Sequence, residues 1–249
     1  MVKRKDTLAS MLADQGLGSR KDCQKLIQNG GLELGRSDGT GFIWTVAEDP
    51  EKQIDPEGLH FRTGALELPF RSGLYLAFNK PAGTECSHTP SHHRSVFSFF
   101  PGPFLNRGLE AVGRLDADTT GLLLLTDSGT FNHLLTSPRK HVPKTYRVGT
   151  KHPISQTQMD QLKAGVDLRG EDGKTLPAAI EPLEERLCDL TVQEGKYHQV
   201  KRMFAAVGNR VESIHRISIG QVRLGEGLAP GTWRWLEKAE LASLGYVES

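Results

Sequence analysis

Four consecutive leucines, Leu122–Leu125, stand between a polar turn and the closing run Thr126-Asp127-Ser128-Gly129. An apolar run this short, bounded by turn residues, predicts a fully buried strand. Leu74-Tyr-Leu-Ala-Phe78 predicts a second, ended by a turn at Asn79-Lys80-Pro81-Ala-Gly83. Strand-like runs recur at 144–150, 178–183, 187–193, 211–219 and 232–236, the second and third joined by acidic turn residues as a pair.

Helical spacing is rarer. Asp6 is placed to cap a helix carrying Leu8, Met11 and Leu12. Ser19 with Asp22 makes a capping box for a second helix, with Cys23, Leu26 and Ile27 on one face. Gly16 and Gly18 separate the two, and Gly30-Gly31 stops the second. Residues 130–135 read as a short helix. Ser155-Gln-Thr-Gln158 is another capping box, with Ile154 stapled to Met159 and an end near Gly165. In 194–208, Val200, Met203, Phe204 and Val207 fall at i, i+3, i+4 and i+7, so that face is core. Lys196, His198, Gln199, Lys201 and Arg202 lie off it. Residues 237–244 form a terminal helix. Strands outnumber helices, hairpin-like spacings dominate and no regular strand–helix alternation appears, so the fold class is α+β rather than a doubly wound sheet.

A boundary near Arg71-Ser-Gly73 divides the chain into a small domain with its linker, 1–70, and a large domain, 71–249. Residues 37–73 hold only short apolar pieces such as Phe42-Ile-Trp-Thr-Val46, which supply the rest of the small domain's sheet. The loop 84–108 is long enough to be functional or mobile.

Composition narrows the partners. A formal net charge of only +1 means that binding to a polyanion would rest on local basic patches, not on a global field. The apolar and charged fractions, 37% and 24%, fit a soluble globular protein. No apolar run approaches a membrane span, and the basic N-terminus has no signal core behind it. Cys23, Cys86 and Cys188 are far apart and in no Cys-x-x-Cys pair, which argues against a disulfide framework or zinc site and for the cytoplasm. His88, His92 and His93 cluster in a Ser/Thr/Pro loop. A metal would want further ligands in fixed geometry, so the cluster is read as solvated or RNA-facing.

Two patches suit a nucleic acid. Lys3, Arg4, Lys5, Arg20, Lys21 and Lys25 face only Asp6, Asp14 and Asp22, and basic side chains beside helix N-termini suit phosphates. An ordinary solvated helical hairpin has the same composition, and a DNA-reading helix-turn-helix is a further alternative. From Arg139 to Lys151 there is no acidic residue, while Arg139, Lys140, Lys144, Arg147 and Lys151 surround Tyr146. Cations for phosphate and a ring for a base suit an unstacked nucleotide. A basic edge strand with a structural tyrosine fits equally well.

The turn before the leucine run carries Arg114, Asp116 and Asp118. A carboxylate fixed by a buried strand yet held in an accessible loop is well placed for chemistry. On local chemistry alone, an aspartate hydrogen-bonding its own backbone is the commoner explanation.

Three stretches together change that balance. Gly113-Arg-Leu-Asp116 with Thr119-Thr-Gly-Leu-Leu-Leu-Leu-Thr-Asp-Ser-Gly129, Lys144-Thr-Tyr146, and Glu194-Gly-Lys-Tyr-His-Gln-Val-Lys-Arg-Met-Phe-Ala-Ala-Val-Gly208 resemble the motifs of RNA pseudouridine synthases. Gly-Leu-Gly-Ser19-Arg20 followed by Leu26-Ile27-Gln-Asn-Gly resembles the S4 RNA-binding module over about the first thirty-five residues. Leu32-Glu-Leu-Gly-Arg36 stands where that module usually has a valine-rich strand and an Asn-Gly turn. The Tyr197-His198-Gln-Val-Lys-Arg form is most similar to the branch of the family acting on 16S rather than 23S ribosomal RNA. The resemblance implies a large, mostly antiparallel mixed-sheet catalytic domain of the pseudouridine synthase type behind a small S4-like α/β domain. It implies isomerisation of a uridine in 16S RNA, free or in a small-subunit assembly intermediate, with no cofactor needed; with no exposed apolar seam evident in the sequence, a monomer is expected. Asp116 is then the essential carboxylate, Lys201 its basic partner and Tyr146 the ring that stacks on the target base. Arg114 helps to occupy the space the flipped uridine leaves. Lys3, Arg20, Lys21, Arg139, Lys140 and Lys144 would grip the RNA backbone. Asp118 and Asp127 keep structural roles, which disfavours a two-carboxylate glycosidase. The same chemistry on 23S RNA, or a catalytically silent assembly factor, are the alternatives.

Overall fold

The computed structural model describes residues 6–247; Lys3, expected on the RNA interface, lies outside them. The chain divides into two compact units. One runs to Leu74 and takes in Phe100–Leu109; the other holds Tyr75–Phe99 and the chain from Glu110 onward.

The first unit carries α1 (Leu8–Asp14) and α2 (Arg20–Gln28). A four-stranded antiparallel sheet follows: β1 (Glu33–Ser37), β2 (Phe42–Val46), β3 (Leu59–Thr63) and β4 (Leu66–Pro69), in the order β2-β1-β3-β4. Thr7, not Asp6, caps α1: its hydroxyl accepts the Ser10 N–H at 3.4 Å. A bridge to Gln53 fixes Thr7 in the extended conformation a cap requires. The capping box of α2 is present, with both Ser19 and Asp22 taking part.

The stretch 84–108 is folded rather than a free loop. Its last part is α3 (Gly102–Asn106), which belongs to the first unit. Asn106 donates to the Gly16 carbonyl, and the Arg107 guanidinium spans the carbonyls of Arg71 and Ser72. The approach is close enough to require glycine at position 16, where φ is +84° and a Cβ would lie 2.1 Å from the Pro103 oxygen.

The second unit contains β5 (Tyr75–Lys80), β6 (Thr84–Glu85), β7 (Arg94–Ser95), β8 (Glu110–Ala111), β9 (Thr120–Thr126) and α4 (Gly129–Thr136). Then come β10 (Lys144–Thr150), α5 (Gln156–Ala164), β11 (Ala179–Glu184), β12 (Leu187–Val192) and α6 (Gln199–Ala206). It closes with β13 (Val211–Ile219), β14 (Val222–Arg223), β15 (Trp233–Trp235) and α7 (Lys238–Ser243). Its main sheet has the order β11-β12-β10-β13-β9-β5-β15, with β14 on β13 and β8 on β9. Every pairing in it is antiparallel except β13 with β9. This is the expected α+β architecture with a mostly antiparallel mixed sheet.

Asn79 and Lys80, expected in a turn, continue β5. Asn79 exchanges backbone hydrogen bonds with Thr232 and Gly231, and Lys80 pairs with Gly121. The leucines of β9 are all buried because both faces of the strand are covered. Leu122 and Leu124 pack with Tyr75, Ala77, Phe131, Leu135, Leu241 and Leu244. A separate core joins Val148, Leu162, Cys188, Leu190, Met203 and Phe204, so the apolar face of α6 is where its spacing places it. Gln199 departs from expectation: it is buried, because its amide reaches Glu194 and the Met203 sulfur.

Candidate active site

Asp116 sits in the turn between β8 and β9, and two devices hold that turn. Its own chain closes it, with the Thr119 N–H on the Asp116 carbonyl at 3.1 Å. The Lys80 ammonium, wholly buried at the end of β5, donates to the carbonyls of Thr119 at 2.9 Å, Pro81 at 3.2 Å and Ala117 at 3.3 Å. Burial pushes the Lys80 ammonium below the usual lysine range. Three carbonyl acceptors are the compensation a buried cation requires. Gly83 adds a backbone bond to the Ala117 carbonyl.

The Asp116 carboxylate is bracketed. Its Oδ2 lies 3.2 Å from the Lys201 Nζ and its Oδ1 lies 3.3 Å from the His198 Nε2. Both partners come from the start of α6, whose apolar face is locked in the core. His198 precedes the helix in the left-handed conformation, φ 47° and ψ 35°, an uncommon state for a residue other than glycine. Tyr197 stacks on its ring at 3.9 Å.

Lys201 is shared. Asp118 also holds it, at 2.7 and 2.9 Å, so Asp118 does more than shape its own turn. Burial opposes the charge on Lys201, but hydrogen bonds to Asp118 and Asp116 outweigh it and leave the group above the usual lysine range. The hydrogen bond from Lys201 holds Asp118 below the usual carboxylate range.

A cleft of about 1400 Å³ opens beside Asp116. That exceeds the roughly 300–1,000 Å³ of small-molecule pockets and leaves room for a length of polymer. Arg114, Lys144, Tyr146 and Lys201 all line it. Among the described residues the Arg114 side chain has no hydrogen-bond partner. Tyr146 and Arg216 are cross-strand neighbours on β10 and β13 and so share a face of the sheet. Lys144 donates to the Val142 carbonyl at 2.9 Å. Burial, helped by the nearby charge of Arg216, lowers its ammonium to about 8.

The other expected RNA contacts lie elsewhere. Arg139 and Lys140 are exposed on the 3-10 turn Pro138–Lys140. Arg20 and Lys21 are exposed on α2, where Arg20 is engaged by Glu51 at 2.8 Å. Arg147, counted in the basic run, forms a two-pronged pair with Asp189. The histidines separate: His88 stacks on Phe97 and meets Glu110, while His92 and His93 line the cleft, their backbones held by the Glu85 carboxylate. No cluster able to hold a metal occurs among the described residues.

Sequence reasoning missed two buried cations. Lys80 lies in a stretch whose residues predict a turn and Arg216 within the strand-like run 211–219, where a charged residue inside an apolar strand is the one available signal.

A partly exposed turn carboxylate beside a lysine, lining with a tyrosine a polymer-sized cleft on a mixed sheet, defines a class. The chain belongs to the RNA pseudouridylate synthase family, whose model matches residues 74–206. It is an RNA pseudouridine synthase, an isomerase. Its relatives include the ribosomal small subunit pseudouridine synthase A of Yersinia pestis, 48% identical over 69% of this chain and 72% of that protein. That of Haemophilus influenzae is 44% identical over 80% of this chain and 85% of that protein. A solved structure, described as a pseudouridylate synthase, covers 96% of this chain and 99% of its own, with 36% identity and a TM-score of 0.66.

Proposed function

We propose that this chain converts a uridine of small-subunit 16S ribosomal RNA to pseudouridine, with Asp116 as the essential carboxylate. The reaction breaks the N1–C1′ bond, turns the uracil and rejoins it through C5. Nothing is oxidised and no group is gained, so the residues of the cleft suffice. The observation that carries the reading is the bracketed Asp116. A carboxylate held between an ammonium and an imidazole, at the wall of a cleft with an aromatic ring, is placed to act at C1′ of an extruded nucleotide. That placement serves direct attack on C1′ and assistance to base loss alike.

Tyr146 stacks on the extruded base, and Lys201 supplies the counter-charge to Asp116. Arg114, unengaged by other side chains, enters the space the uridine leaves. Flipping costs a few kcal/mol. Backbone contacts from Lys3, Arg20, Lys21, Arg139, Lys140 and Lys144 offset it, those of residues 1–70 acting as an S4-like RNA-binding domain and residues 71–249 as the catalytic one. The names of the relatives favour the small-subunit target, and the reading carries with it a monomeric, cytoplasmic enzyme acting on free RNA or an assembly intermediate. Among the described residues no helix is long and apolar enough to cross a membrane.

The test is tritium release. Small- and large-subunit RNA are each labelled at uridine C5 and incubated with the protein. Release from small-subunit RNA alone is expected. Release only from large-subunit RNA moves the target, and folded protein that releases none from any RNA or assembly intermediate is a silent binder.

A further inference from the structure

Arg216 is 2% exposed, yet it lines the cleft. Its guanidinium is fixed on two sides. Nε donates to the Leu122 carbonyl at 2.7 Å, and Nη1 reaches the Tyr146 hydroxyl at 3.4 Å. Nη2 has no hydrogen-bond partner, and it is the only such buried side-chain atom among the described residues. A buried guanidinium donor left unpaired is costly, because the group has given up water for nothing in return. Its position is over-determined: β13 approaches β9 so closely at Gly121 that a Cβ there would lie 2.3 Å from the Arg216 carbonyl oxygen. A charge held this firmly, with the Nη2 amino group spare, is a recognition group waiting for an acceptor.

The location says which acceptor. The guanidinium carbon lies 5.9 Å from the Tyr146 ring centre and bonds the hydroxyl at the ring's far edge. A flat base stacked on Tyr146 would present its own rim there. The depth disfavours a phosphate, which would have to carry its full charge out of solvent. Uracil offers two carbonyl oxygens on that rim. Cytosine replaces one with an amino donor, which cannot accept from Nη2.

We propose that Arg216 is a specificity-determining residue, its Nη2 donating to a carbonyl oxygen of the target uracil. The inference rests on the proposed reaction and on Tyr146 stacking the base. The same donor meets the charge that develops on the uracil oxygens as the N1–C1′ bond opens and its electron pair stays with the base. A charge-assisted hydrogen bond of this kind corresponds to about 10- to 100-fold in kcat/KM.

The experiment uses a small-subunit RNA fragment from which the unaltered chain releases tritium. The target nucleotide is uridine, 2-thiouridine or 4-thiouridine, each tritiated at C5, since sulfur is a poor acceptor. The unaltered chain should lose about tenfold or more in kcat/KM with one of the two thio bases. Arg216→Gln should lose a similar factor on uridine and be indifferent to that same sulfur. Equal rates of the unaltered chain on all three bases would overturn the proposal, whether or not a variant folds. A sulfur effect undiminished in folded Arg216→Gln or Arg216→Lys would do the same. So would an Arg216→Gln variant whose main change is a flatter salt dependence of RNA binding, which would assign the guanidinium to a phosphate. No release by the unaltered chain from any RNA would instead bring down the functional reading, and this inference with it.

Discussion

Replacing Lys144 with methionine should make the chain more stable at neutral pH and a poorer RNA binder. The ammonium is lowered to about 8 from an ordinary 10.5, with burial the main cause and the Arg216 charge the second. That difference corresponds to roughly 3 kcal/mol of penalty at pH 7. The hydrogen bond to the Val142 carbonyl returns about 1 kcal/mol. Methionine removes both, for a net gain of about 2 kcal/mol at pH 7, or about 4–8 °C in Tm. The sign reverses at high pH. Between about 8 and 10.5 the folded chain has released the proton that the unfolded chain still holds. Stability of the unaltered protein therefore rises with pH across that window relative to the variant. Above it the penalty is gone and the lost hydrogen bond leaves the variant weaker by about 1 kcal/mol. Urea unfolding of both proteins at pH 7 and pH 11 measures the crossover. If Lys144 also meets a phosphate, the variant's RNA affinity should lose about 0.7 from its logarithmic salt slope. A variant less stable at pH 7, or a stability difference that does not move with pH, would refute the reasoning.

Asp116→Asn should abolish tritium release while RNA binding persists; an active asparagine variant would remove the assigned role. Lys80→Met should lower kcat far more than stability. The Pro81 and Ala117 carbonyls keep other partners, Thr84 and Gly83, so the loss falls on the Thr119 carbonyl and loosens the turn bearing Asp116 more than the fold. A shift of about 1 Å costs about 100-fold in rate, and single-turnover release against thermal melting separates the two effects. Gly121→Ala places a Cβ against the Arg216 backbone at a φ of +101°. It should cost several kcal/mol, seen as a collapse of Tm, and unchanged melting would show that the strands can part. Neutralising Lys3, Arg20 and Lys21 together should weaken RNA binding and flatten its salt dependence with the fold intact; an unchanged slope removes that segment from the interface.

Much of the local structure was legible because it is written in short-range chemistry. The capping boxes at Ser19 and Ser155 formed as their spacing required. The stripe Val200, Met203, Phe204 faced the core, and that turned Lys201 out of it. Where reading failed, a partner distant in sequence decided. Thr7 displaced Asp6 as a cap through its bridge to Gln53. Asn79 and Lys80 became strand because 231–232 and Gly121 pair with them. The segment 100–109 joined the first unit through carbonyls of Gly16, Arg71 and Ser72, which no local pattern announces.

The sequence by itself determined most of the elements and the class of the large domain, because periodicity and capping act within a few residues, and its three motifs carry the resemblance that implies roles for Asp116, Tyr146 and Lys201. Only the tertiary structure decided that Asp118 shares Lys201, that His198 takes the other oxygen of Asp116, and that Lys80 and Arg216 are buried beside the cleft. Those facts depend on which strands lie side by side. β13 runs parallel to β9 and antiparallel to β10, and this places Arg216 beside both the leucine strand and Tyr146. Whether a charged side chain is a solvated surface group or a buried donor follows from such neighbours, and they are set by the packing of the whole sheet rather than by any stretch of chain.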